Sequence, residues 1–108
     1  MSYRIKLLAK FKRAVKPLSK KYPSLKAELG LLQKQLLENP TTGTALGKNC
    51  FKIRLAIGSK GKGGSSGARV ITYVAVLAEE VVLLTIYDKA DRADLRPGEL
   101  DELLKLLD

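Results

Sequence analysis

The sequence predicts an α+β fold of order β-α-α-β-β-β-α, a helical hairpin packed on one face of a mostly antiparallel sheet. Three observations carry that prediction. Leucines recur at helical spacing before Asn39, apolar and polar residues alternate from Cys50 onward, and the links between the later segments are short. At 108 residues the chain has the length of one core, so a single domain spanning 1–108 is expected.

Residues 2–8 read as a short opening strand. In 10–21, Phe11, Val15 and Leu18 fall at i, i+4 and i+7, opposite a face of Lys10, Lys12, Arg13, Lys16 and Lys20. Pro17 lies inside this pattern and is expected to kink or shorten the helix, because it has no N–H and crowds the preceding turn. Ser24 then stands at the N-cap position of a second helix whose stripe is Leu25, Leu29, Leu32 and Leu36, ended by Asn39-Pro40. From Cys50 the period becomes two. Phe51, Ile53, Leu55 and Ile57 alternate with Lys52, Arg54, Ala56 and Gly58, giving one apolar and one basic face. Residues 70–77 and 81–87 are strands rich in β-branched residues, joined as a hairpin through Ala78-Glu79-Glu80. The glycine-rich run SKGKGGSSG separates the first two of these strands. After Pro97-Gly98, Leu100, Leu103, Leu104 and Leu107 mark a short closing helix.

Composition removes several function classes. No run approaches the roughly 18 apolar residues of a membrane span. The first ten residues lack an apolar core and a small-residue cleavage site, so a cytoplasmic chain is expected. The single cysteine, Cys50, cannot close an internal disulfide, and zero histidines leaves a metal centre few ligands and removes histidine acid–base chemistry. No metal and no small-molecule cofactor are expected. The charge points elsewhere. Net charge is +9, but residues 1–69 carry 16 basic and 2 acidic side chains while residues 70–108 carry 4 and 9. A polyanion partner follows, nucleic acid before a membrane surface, because the basic helices lack a broad apolar face with Trp anchors.

Lys52 and Arg54 share one strand face about 7 Å apart. Burying both without partners would be costly, so that face is expected to stay open to water or an anion. Arg69 opens the next strand and Lys89 follows the last, so all four cations can surround one concavity suited to a phosphodiester and its developing charge. Lys52 is the better base of the four, since neighbouring cations disfavour its charged form, whereas arginine stays protonated. The run SKGKGGSSG is not a Walker loop, because no Gly-Lys-Ser/Thr closes it and a strand follows. Its Lys60 and Lys62 still suit a phosphate backbone, as do Lys10, Lys12, Lys16 and Lys20 on the first helix. Asp88, Asp91 and Asp94 read as a solvated segment, and Cys50 as a packed thiol.

The stretches CFKIRL (50–55), SKGKG (59–63), ARVITY (68–73) and LLTIYDK (83–89), with the hairpin around KKYPSL (20–25), resemble the RelE/ParE toxin superfamily, most closely its HigB-like branch. The resemblance implies a RelE-like fold and the toxin of a type II toxin–antitoxin pair, partnered by a cognate antitoxin, the ribosome and mRNA. It implies ribosome-dependent, metal-independent endoribonuclease action on mRNA through the RNA 2′-hydroxyl, which inhibits translation. By position, the active-site cations fall on Lys52, Arg54, Arg69 and Lys89, with Lys60 and Lys62 in a basic loop near the RNA. Leu95 stands where RelE carries a tyrosine. The alternatives are a ParE-like inhibitor of DNA gyrase and a nucleic-acid-binding module without catalysis.

Overall fold

The computed structural model describes residues 2–60 and 67–107. In chain order they form β1 (Arg4–Leu7), α1 (Ala9–Lys21), α2 (Leu25–Glu38), β2 (Thr44–Gly47), β3 (Cys50–Leu55), β4 (Ala68–Ala75), β5 (Glu80–Asp88) and α3 (Glu99–Leu104). A single 3₁₀ turn, Gly58–Lys60, follows β3. The strands build one sheet in the order β1-β5-β4-β3-β2. All pairings are antiparallel except β1 with β5.

Strand β2 is the element the sequence did not suggest. It is four residues long, mostly exposed, and pairs with β3 across a bulge between Ala45 and Gly47. Lys48 and Asn49 both take positive φ, 56° and 63°, which makes the β2–β3 link a two-residue hairpin turn without the usual glycine. Gly43, at φ +109°, is needed just before it, because a Cβ there would lie 2.7 Å from the Lys52 carbonyl oxygen.

Pro17 does not shorten α1, which runs unbroken through it, with Pro17 on the exposed side. Ser24 occupies the N-cap of α2 but makes no capping bond. Its hydroxyl instead donates to Glu28 Oε1 at 3.2 Å and accepts the Ser59 N–H at 3.0 Å. Glu28 Oε2 accepts the Gly58 N–H at 2.6 Å, so the start of α2 anchors the turn that leaves β3.

Each strand's alternation decides which layer it feeds. Ile53, Val70 and Ile86 are successive register partners in β3, β4 and β5, and all are buried. They face the helices, where Phe11 of α1 and Leu25, Leu29, Leu32 and Leu36 of α2 complete the core. Tyr22, at the α1–α2 turn, donates its hydroxyl to the buried Asp88 Oδ2 at 2.7 Å and pins the hairpin to the end of β5.

The opposite face is not wholly open. Ile71, Thr85 and Tyr87 are buried, and Leu95 and Leu103 pack with the core. The chain after β5 returns across this face, held by ion pairs from Lys52 to Asp94 and from Lys48 to Asp101. Among the described residues, no helix is long and apolar enough to cross a membrane.

Candidate functional site

Strand register lines up the cations. Arg54 of β3 pairs with Arg69 of β4, and Arg69 pairs with Tyr87 of β5, so the three side chains form one row across the sheet. Lys52 precedes Arg54 by one strand period on the same face and pairs with Thr44 of β2. Lys89 follows β5 directly, and its N–H donates to the Gly67 carbonyl at 3.0 Å. Thr44, Lys52, Arg54, Arg69, Lys89 and Ala93 line one depression of about 280 Å³.

The four cations sit at different depths. Arg54 is exposed, Lys52 and Lys89 are half-buried, and Arg69 is only 4% exposed. Arg69 Nη1 donates to the Ala68 carbonyl at 3.1 Å, part of what a guanidinium needs to be tolerated there. Two arginines directly opposed on a ladder present two guanidinium forks side by side, an arrangement that suits a shared anion. Gly67 makes the opposition of Arg54 and Arg69 possible. A Cβ at this position would lie 2.0 Å from the Leu55 carbonyl oxygen, so β4 can begin against the end of β3 only with glycine before it.

The segment after β5 is built as a clasp. The Arg92 guanidinium lies 4.4 Å over the Tyr87 ring and binds Glu99 through two bonds, Nη1 to Oε1 at 2.6 Å and Nη2 to Oε2 at 2.9 Å. Glu99 Oε1 also accepts the Arg96 N–H at 2.9 Å. The hydrogen bonds from Arg92 are the main reason the Glu99 carboxyl is held down to about 2. Tyr87, beneath the clasp, has a buried hydroxyl without a hydrogen-bond partner among the described residues, and burial raises its pKa. Leu95 is half-buried against the core. Neither residue offers an accessible phenol at this site.

Asp94 is the residue that sequence reasoning missed. Its Oδ1 accepts the Leu95 N–H at 2.9 Å, and its Oδ2 lies 3.3 Å from Lys52 Nζ. The Leu95 N–H first, and Lys52 second, hold its carboxyl below the usual range. Read along the chain, Asp94 is one acid among several in a polar stretch. Only the fold-back of residues 89–99 brings it to Lys52. The ammonium of Lys52 is therefore engaged by a carboxylate as well as surrounded by cations.

Four further lysines named from the sequence lie away from the depression. Lys10, Lys12, Lys16 and Lys20 are exposed on α1, in the helix layer on the other side of the sheet. Lys60 ends the anchored 3₁₀ turn, its side chain lying outside the described part, and Lys62 lies outside the described residues. Cys50 is buried and its thiol is pushed up to about 11 by that burial, which fits a packing residue rather than a nucleophile. No three His, Cys, Asp or Glu side chains cluster with metal-ligand geometry among the described residues.

A helical hairpin on one face of a five-stranded, mostly antiparallel sheet is a RelE-like fold. The chain is similar to the free-state structure of an arginine-to-alanine double mutant of the Escherichia coli toxin RelE, with a TM-score of 0.59 and 21% sequence identity over 97% of this chain and 93% of that one. This likeness establishes the fold. No protein-family model matches the chain.

Proposed function

We propose that this chain is the toxin of a type II toxin–antitoxin pair and cleaves mRNA on the ribosome. The depression lined by Lys52, Arg54, Arg69 and Lys89 carries this reading. It offers guanidinium and ammonium donors converging from β3, β4 and the turn after β5, which is what a phosphodiester and its doubly charged transition state require. The RelE-like fold supports the same reading, and the motifs SKGKG and ARVITY favour the HigB-like branch within it.

In this mechanism the RNA 2′-oxygen attacks the adjacent phosphorus, its proton passing to solvent, and the P–O5′ bond breaks. The products are a 2′,3′-cyclic phosphate and a 5′-hydroxyl. Arg54 and Arg69 clamp the non-bridging oxygens, where paired, always-charged donors matter. Lys89 gives a proton to the departing 5′-oxygen. Lys52, whose ammonium pairs with Asp94 in the free chain, holds a phosphate oxygen beside the attacking 2′-hydroxyl rather than taking its proton. With no histidine in the chain and no accessible tyrosine at the depression among the described residues, the chemistry leans on orientation, which a ribosome holding the 2′-hydroxyl in line supplies.

Transcript ends mapped after induction in growing cells test this reading. Cuts within codons of translated messages are expected, with little cleavage of naked RNA at the same protein concentration. Intact transcripts accompanied by loss of DNA supercoiling would favour the gyrase-inhibitor alternative. Ribosome binding without cleavage would favour the non-catalytic module.

A further inference from the structure

Asp94 is the acidic side chain that the clasp brings to a depression lined by cations. The chain on either side of it is anchored. The Leu95 N–H holds one carboxylate oxygen, and Arg92, two residues before, is locked to Glu99 and stacked on Tyr87. The other oxygen reaches Lys52 at 3.3 Å, beside Ala93, which lines the depression itself. A carboxylate and a phosphate oxygen present the same charge and the same hydrogen-bond acceptors to an ammonium.

We propose that Asp94 is a built-in competitor for the substrate phosphate, holding Lys52 until a single-stranded RNA phosphodiester displaces it. The inference rests on the nucleic-acid reading of the site. Lys52 is only 24% exposed, whereas the Asp94 side chain is 62% exposed and can swing into solvent when an RNA phosphate arrives. Partly exposed ion pairs are weak, so the competitor is easily displaced. It nonetheless imposes a threshold. RNA that reaches the site alone must compete for Lys52, while RNA already positioned by a larger partner loses little by doing so.

Full-length chain titrated with a fluorescently labelled single-stranded RNA, made uncleavable by 2′-O-methylation, tests the idea by anisotropy over a range of salt concentrations. Asp94→Asn is expected to bind about twofold to fivefold more tightly at low salt. Its log K against log salt should steepen by about 0.7, the effect of one further phosphate contact. The gain should vanish in Lys52→Met/Asp94→Asn relative to Lys52→Met. An unchanged or weaker affinity for Asp94→Asn overturns the proposal. So does a gain that persists without Lys52, which would mark a general charge effect. Failure of the underlying reading looks different: binding by the parent chain would then be indifferent to Arg54→Ala, whatever Asp94 does.

Discussion

At the level of single side chains, Arg54 and Arg69 are one register pair with unequal burial, and their variants should separate accordingly. Arg54 is exposed, so Arg54→Ala should keep its melting temperature while cleavage falls about a hundredfold to a thousandfold, the usual cost of one transition-state donor. Arg54→Lys should recover little, because a single ammonium does not reproduce a paired fork. Arg69 is buried, so Arg69→Ala should lose both cleavage and stability, read by transcript-end mapping and thermal unfolding together. Tyr22→Phe removes the 2.7 Å bond to buried Asp88 and should destabilise the fold by about 1–3 kcal/mol, measured by denaturant unfolding. Lys52 and Arg54 were legible in the sequence because a period of two fixes a strand face without knowledge of the neighbours. The burial of Arg69 and the approach of Asp94 were not, since both depend on where the chain goes after β5.

Elements carry their own predictions. The C-terminal clasp depends on Glu99, whose carboxyl is shifted from 4.5 to about 2 by its bonds with Arg92 and Arg96. A carboxyl lowered on folding adds stability that is fully present above about pH 4.5 and lost as the pH falls through about 2. Glu99→Gln should therefore flatten the acid limb of a stability–pH profile and cost about 1–2 kcal/mol at neutral pH. Gly67→Ala should displace the start of β4 against Leu55, lowering the melting temperature and moving Arg69 out of line with Arg54. Calorimetry and the cleavage assay on the same preparation check both effects. The two main helices and β3–β5 could be read from periodicity, because long amphipathic stripes announce themselves. Strand β2 could not: four residues, three of them exposed, make no apolar stripe, and its turn uses Lys48-Asn49 in place of a glycine-containing pair.

Taken whole, the molecule carries positive charge on both sides of its sheet, the depression on one and α1 on the other. Replacing Lys10, Lys12, Lys16 and Lys20 with Gln should reduce the salt slope of ribosome binding by up to about 3, at roughly 0.7–0.9 per lost phosphate contact. The positions of the cuts should not change, because those lysines lie away from the depression. An unchanged slope would make them a solvated face. The parallel pairing of β1 with β5 has a consequence of another kind. Arg4 bonds to Glu80 across 76 residues, so a long loop must close before β1 gains any partner, whereas β3, β4 and β5 meet as neighbours along the chain. Strand β1 is also short and lies at the sheet's edge. Amide hydrogen exchange should then find the β1 amides trading with solvent through a partial opening that leaves Val70 and Ile86 protected. Equal protection throughout would mean that the sheet opens only as a unit. In the partially open form the arginine pair would stay assembled, so fraying of the N-terminal edge and affinity for an anion would vary independently.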